Sequence, residues 1–276
     1  MSATLSRESP GTGIRLGWLR DHGDLLRTLL RRELRAKYKG SALGVAWSYI
    51  YPLLMMAVYT VVFSVLWDSG IPHYPLVVLT GLTAWSFFQS AVYGGATSIV
   101  SNAQIIKKVW FPREIVPIAV VLAAGVSSLV MIAVLIPVDL WFAPESRSPA
   151  MLLAIPIGLC FFALAAGFAW LLAAANVFFR DVEHFLSVLF LPWFFLTPVF
   201  YRLEGLPGAD DHQALIQVLR WGNPVTPYVE GLRAALLDGV VPGTFALVYM
   251  AVVGPVFLLV GLWVVQRYED RFAVVL

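Results

Sequence analysis

The sequence predicts an all-α polytopic membrane protein. It has six transmembrane helices, an N-terminal amphipathic interface helix before the first, and an outer re-entrant helix pair before the last. Three observations carry this prediction. Charged residues make up only 13% of the 276 positions and hydrophobic ones 59%, with a mean hydropathy of +0.79, whereas a soluble domain carries about 25% charged residues. The charges are missing from whole stretches of ~18 residues or more, long enough to cross a bilayer as helix. Lysine and arginine also fall unequally on the two sides of those stretches.

The first predicted span, 47–67, is free of charge. The charge-free chain from Ser69 to Ile106 is longer than a ~30 Å hydrocarbon core needs at ~1.5 Å per residue. The second span is therefore placed at 74–99, with 100–106 projecting beyond the lipid. The third is expected at 115–138, the fourth at 150–177, and the sixth at 244–265. The fifth, 185–201, is short and contains Pro192 and Pro198. Residues 1–46 read as a cytoplasmic segment and 47–276 as the transmembrane domain. A β-barrel would show alternating strands of ~10 residues, and these runs are uniformly apolar for twice that length.

Nine basic residues precede the first span, and Lys107, Lys108, Arg113, Arg180, Arg267 and Arg271 lie on the same side. The other side holds only Arg147, Arg202, Arg220 and Arg233. Fifteen against four places both termini in the cytoplasm by the positive-inside rule. The basic N-terminal stretch has no apolar core and no small-residue cleavage site, so no secretory signal is predicted. The lone Cys160 sits in an apolar run, reads as a packing residue, and has no partner for an intrachain disulfide.

Residues 25–39 carry two neighbouring stripes at i, i+4 spacing, Leu26, Leu30, Leu34 and Tyr38 beside Arg27, Arg31, Arg35 and Lys39. Such a helix lies in a membrane interface and meets anionic lipid at ~1 kcal/mol per basic residue. Either it anchors orientation, or it is a platform for a cytoplasmic partner or an anionic lipid-linked substrate. Gly40 then lets the chain turn into the first span.

The segment Lys107, Lys108, Val109, Trp110, Phe111, Pro112, Arg113, Glu114 forms a cytoplasmic knuckle. Pro112 suits the first turn of the next helix and Glu114 its positive end. Its aromatic pair is either an interfacial anchor or an insert for a cleft on a partner protein. In the first span Trp47, Tyr51, Met55, Tyr59, Phe63 and Trp67 recur every four residues, a ridge winding round the helix. The fifth is rich in Trp193, Phe194, Phe195, Phe200 and Tyr201. These rows either pack helices or line a conduit whose rings stack on sugars.

Residues 202–243 are too charged and too interrupted to cross. Half-helices are expected within 214–239 on the outer face. The second follows Asn223, Pro224, Val225, Thr226 and Pro227, with Thr226 capping it, Pro227 in its first turn and Gly239 ending it. With Glu230 and Arg233 aboard, it reads as a packed cap or as a gate at the exit.

The dipeptide Gly-Lys occurs nowhere, so the phosphate-cradling G-x-x-x-x-G-K-[ST] loop is absent. The four histidines are far apart, without metal-ligand spacing. No Asp, Glu, Lys, Arg or His falls mid-span, where proton- and ion-driven carriers place theirs. This points to energy from elsewhere, such as a separate ATPase docked on the cytoplasmic face, beside the alternative of a sodium site built from neutral oxygens.

Four motifs in order along nearly the whole chain resemble the membrane subunit of ABC-2 type transporters. They are Arg32-Glu33-Leu34-Arg35-Ala36-Lys37-Tyr38-Lys39-Gly40-Ser41-Ala42-Leu43-Gly44 running into Trp47 and Pro52; Gln104-Ile105-Ile106-Lys107-Lys108 with Phe111-Pro112-Arg113-Glu114; Asn176-Val177-Phe178-Phe179-Arg180-Asp181-Val182; and Asn223-Pro224-Val225-Thr226-Pro227. The branch it is most similar to exports lipid-linked polysaccharides: O-antigen, teichoic acid and capsule-type polymers. The resemblance implies a homodimer in the bacterial inner membrane with two copies of an ATP-binding cassette subunit. That subunit would bind ATP and magnesium and hydrolyse the ATP; this chain would hold no cofactor and no nucleic acid. The substrate implied is a glycan on a polyprenyl diphosphate. The resemblance also implies that Lys107 to Glu114 and the interface helix meet the ATPase and the incoming substrate. It places conduit aromatics (Tyr51, Tyr59, Phe63, Trp67, Trp193, Phe194, Phe195, Tyr201) on the first and fifth spans. Asn223, Pro224, Thr226, Pro227, Glu230 and Arg233 would belong to the outer gate. Arg27, Arg31, Arg35, Lys37 and Lys39 could pair with the diphosphate, the arginines in bidentate geometry. Two alternatives stand beside this: an ABC-2 exporter of small hydrophobic drugs, and a membrane-embedded transferase using Asp181, Glu183 and His184.

Overall fold

The charge-free runs fold as long helices, and the charged or proline-bearing breaks between them set the turns. A computed structural model describes residues 22–39, 46–66, 70–109, 111–142, 148–206 and 211–276, with no strand among them. The helices are α1 Gly23–Tyr38, α2 Trp47–Thr60, α3 Tyr74–Ser101, a short α4 Ala103–Ile106 and α5 Ile115–Phe142. They continue with α6 Ala154–Phe178, α7 Asp181–Leu196, a short α8 Gln213–Gln217, α9 Thr226–Leu236 and α10 Thr244–Val275. A π-helical turn, Val61–Leu66, prolongs α2, and a 3₁₀ turn, Pro149–Leu153, leads into α6.

Among the described residues, four helical stretches are long and apolar enough to cross a membrane: Tyr74–Ser101, Ile115–Phe142, Pro149–Phe178 and Thr244–Phe272. A shorter apolar helix covers Ile50–Leu66. Two helices overrun their predicted spans, α5 running on through Pro137. α10 continues to Val275 and α5 to Phe142, so that α5 carries the buried Asp139 near its end. α7 starts at Asp181, four residues before the expected 185, because Asp181 and Glu183 in its first turn complement the helix dipole. It stops at Leu196, since Pro198 disfavours helical geometry in the residue before it. Its 16 residues reach only ~24 Å.

α3 is the central helix, in contact with α2, α5, α6, α7 and α9. One continuous core runs from Tyr74 and Leu82 through Phe88 and Ile99 on α3 to Leu164 and Trp170 on α6. On the far side α10 packs along α6 over its length. Small residues allow that close contact. A Cβ at Gly167 would overlap the carbonyl group of Phe257, one at Gly261 the carbonyl of Gly167, and one at Gly254 the carbonyl of Cys160. α1 packs on α5. Leu29 buries to 8% exposure and Leu25 and Leu26 pack partly beside it, so the helix is fixed to the bundle through a face one residue round from the predicted leucine stripe.

Candidate functional site

Between the end of α7 and Arg202 the backbone is not helical, yet Thr197, Val199 and Leu203 are fully buried. Buried carbonyls need donors, and side chains supply them. Arg233, 2% exposed on α9, donates through Nη1 to the carbonyls of Pro198 and Tyr201, the latter at 2.9 Å. Its Nη2 donates to Val199 O, and its Nε reaches back to Val77 O on α3 at 3.2 Å. The Tyr74 hydroxyl donates to the remaining carbonyl, that of Phe200, at 2.7 Å. Gly81 makes room for this cage, because a Cβ there would collide with both Val199 O and Arg233. Burial, and then Arg202 nearby, pull the Arg233 guanidinium down to about 10, so it stays charged at neutral pH.

Asn223 ties the same corner together. Its Oδ1 accepts from Trp193 Nε1 at 2.9 Å and from the Val225 amide at 3.1 Å. Its Nδ2 donates to Thr197 Oγ1 at 2.8 Å. The Asn223–Val225 bond is an Asx turn leading into α9. Thr226, expected as the cap, lies inside the helix with its hydroxyl buried and without a partner. Pro227 falls in the first turn and Gly239 follows the helix at φ 62°, both as expected. Asn223→Ala would strand the Trp193 indole N–H, and the expected loss is ~1–3 kcal/mol, read by thermal unfolding of the purified protein.

Charge pairs cover the rim of this corner. Arg202 holds Asp238 in bidentate geometry at 2.9 and 2.8 Å. Arg220 bridges Glu204 and Glu230, the latter at 3.1 Å. Burial raises the Glu230 carboxyl, opposed by Arg220. Pro224 is half-buried at the turn.

The predicted conduit aromatics divide three ways. Tyr59, Phe63 and Phe194 converge on Phe200, which belongs to the aromatic-rich fifth segment. Tyr59 stacks on it at 5.1 Å and 5°, Phe63 sits at 5.3 Å and Phe194 at 5.7 Å. Phe195 and Tyr201 meet it edge-on at 5.7 and 5.2 Å. Trp193 is enclosed by Phe88 at 5.2 Å, Phe168 at 5.9 Å and Phe190 at 6.1 Å. Tyr51 stands apart and exposed, and Trp67 lies outside the described residues.

At the opposite end, Lys107, Lys108 and Val109 are exposed, whereas Phe111, Arg113 and Glu114 are buried at 7%, 9% and 2% exposure. Pro112 stands in the turn ahead of α5, not inside its first turn. Trp110 lies outside the described residues. The Glu114 side chain accepts from Gln266 Nε2 on α10 at 3.0 Å, and its carbonyl accepts from Trp170 Nε1 on α6 at 3.0 Å. The knuckle is thus an exposed basic tip on a buried root that joins α5, α6 and α10.

On α1, Arg27, Arg31, Arg35 and Lys39 are exposed. Arg32, outside the predicted set, pairs with Glu33 and donates to Asn102 Oδ1 at 2.7 Å. Lys37 Nζ donates to Ser127 Oγ on α5 at 2.9 Å. Lys37, Trp47, Tyr51, Ser86, Gln89 and Ser127 are among the residues lining a groove of about 340 Å³ between α1, α2, α3 and α5. Asp181 and His184 are exposed, and Glu183 accepts the Tyr93 hydroxyl at 3.2 Å. These three residues open α7 as an ordinary helix start.

Residues 24–237 match the family described as ABC-2 type transporter. The chain is 30% identical to an O-antigen export system permease protein, RfbA, of Klebsiella pneumoniae, over 92% of this chain and 95% of that protein. It is 28% identical to its namesake in Myxococcus xanthus, over 90% and 94%. It is 23% identical to the polysialic acid transport protein KpsM of Escherichia coli, over 88% and 92%.

Proposed function

The chain belongs to the ABC-2 type transporter family, and we propose that it is the membrane subunit of an exporter of a lipid-linked cell-envelope polysaccharide. The observation that carries this is its end-to-end similarity to permeases for O-antigen and polysialic acid, over 88% or more of the chain. The glycan, borne on a polyprenyl diphosphate, passes from the inner to the outer face of the bacterial plasma membrane.

In this reading α2 with its π turn and α7 with its irregular continuation complete six spans. Trp47–Leu66 supplies ~30 Å of helix, and the carbonyl cage of Arg233 and Tyr74 lets residues 198–201 run unwound where a helix would otherwise be required. Both termini are cytoplasmic. Two copies of the chain face each other and two ATP-binding subunits, holding ATP and magnesium, dock beneath. The basic tip at Lys107 and Lys108 meets the ATPase, while Glu114 carries its movement to α6 and α10. The outer corner of α9, Asn223 and Arg233 gates the exit.

Charge reversal at the tip tests this. Lys107→Glu with Lys108→Glu is expected to leave ATP hydrolysis by the assembly intact while export falls about tenfold, equivalent to ~1.4 kcal/mol of coupling. Parallel assays of phosphate release and surface glycan read both. Unchanged export would remove the tip from coupling.

A further inference from the structure

We infer that the groove between α1, α2, α3 and α5 is a carbohydrate subsite, which receives the sugars of the exported glycan beside its lipid phosphate. This rests on the polysaccharide reading above.

A sugar site combines aromatic faces for the C–H faces of the ring with side chains that both donate and accept hydrogen bonds. In the deep aromatic cluster the rings already face one another: Tyr59 is stacked on Phe200 at 5.1 Å, and the half-buried Trp193 packs against Phe88, Phe168 and Phe190. Trp47 and Tyr51 are different: they are 55% and 57% exposed, line the groove, and form no ring pair among the described residues.

The polar half comes from α3 and α5. Ser86, Gln89 and Ser90 sit together on one face of α3, with Gln89 and Ser90 exposed. All three lie near the middle of a stretch long and apolar enough to span. Exposed polar groups at that depth need water, a polar ligand or a further protein surface beside them. Ser127 and Ser128 face them from α5. Ser127 lies ~18 Å along α5 from Ile115, so the Lys37–Ser127 bond of 2.9 Å sets an exposed ammonium about half-way along α5. The lining holds no carboxylate, so nothing in it repels a phosphate at the groove's edge. The volume of about 340 Å³ falls within the ~300–1,000 Å³ usual for small-molecule sites.

Thiol labelling tests the site in the full assembly with its ATP-binding subunit. In a Cys160→Ala background, Ser90→Cys and Gln89→Cys are each labelled with a water-soluble thiol reagent. A polyprenyl-diphosphate-linked disaccharide, at about ten times its Kd, is expected to slow labelling about tenfold, since mass action leaves that fraction of sites open. Bare polyprenyl diphosphate is expected to slow it less than about twofold on the same footing. Equal protection by the bare lipid would make the groove a head-group site and overturn the inference. So would thiols that stay unreactive with no probe present, which would show the groove closed in the assembly. No protection at either position in an assembly that still exports glycan would overturn the inference alone. An assembly that exports no glycan would remove the polysaccharide reading itself, and this site with it.

Discussion

Arg233→Leu is expected to abolish the folded protein. The guanidinium serves carbonyls of Val77, Pro198, Val199 and Tyr201, and a leucine leaves all of them buried without a donor. Each stranded group costs ~1–3 kcal/mol, and the sum rivals the whole stability of ~5–15 kcal/mol typical of a folded protein. The variant should give no monodisperse protein on extraction. Arg233→Lys keeps the charge and some donors but not the planar fork, and should be recovered with a lowered Tm. Tyr74→Phe, which removes only the bond to Phe200 O, should cost ~1–2 kcal/mol. An Arg233→Leu protein with an unchanged Tm would show that the unwound segment 198–201 finds its donors elsewhere.

Gly261→Leu is the second large effect. α6 and α10 approach so closely that even a Cβ at Gly261 meets the carbonyl of Gly167, backbone against backbone. Overpacking of a rigid core costs ~1–3 kcal/mol for a few methylenes, and here neither helix can yield without moving as a whole. Gly261→Ala should lower the Tm clearly, and Gly261→Leu should prevent assembly of α10 onto α6. Gly158 on the same α6 is the matched control, since nothing lies within 4 Å of a Cβ there. Gly158→Ala should be neutral or gain up to ~1 kcal/mol of helix propensity. Similar losses at both positions would mean that propensity or insertion, not contact, governs the glycines.

The sequence made the long helices legible because hydropathy and charge gaps report directly on burial in lipid. It also read the end of α9 from Gly239, a local rule of backbone geometry, but ran the fifth span to 201, although Pro198 stops α7 at Leu196. Helix ends past the lipid were not legible in the same way. Hydropathy marks where charges begin, whereas α10 simply continues into water as an ordinary helix. The aromatic rows were visible as i+4 ridges, but which rings meet depends on how α2 and α7 cross, and Phe200 as their hub follows from the unwound segment after α7. Arg233 looked like one charge among several on a gate. Its role as a donor to backbone 35 residues away, at Pro198, has no local signature. The start of α9 is of the same kind. Thr226 has a cap-forming side chain but lies inside the helix, and the Asx turn ahead of it is made by Asn223, which also holds Trp193 and Thr197. The groove combines residues from four helices, so its one trace in the sequence was polar Ser86, Gln89 and Ser90 within a charge-free run.

The most direct test of the central claim is transport by the chain reconstituted in vesicles, with and without its ATP-binding subunit, using a polyprenyl-diphosphate-linked glycan as cargo. The expected result is glycan reaching the far leaflet only when both proteins and ATP with magnesium are present, with no movement under a proton gradient alone. Transport by this chain alone under a proton gradient, or ATP-driven export of small hydrophobic drugs with no movement of the glycan, would contradict it.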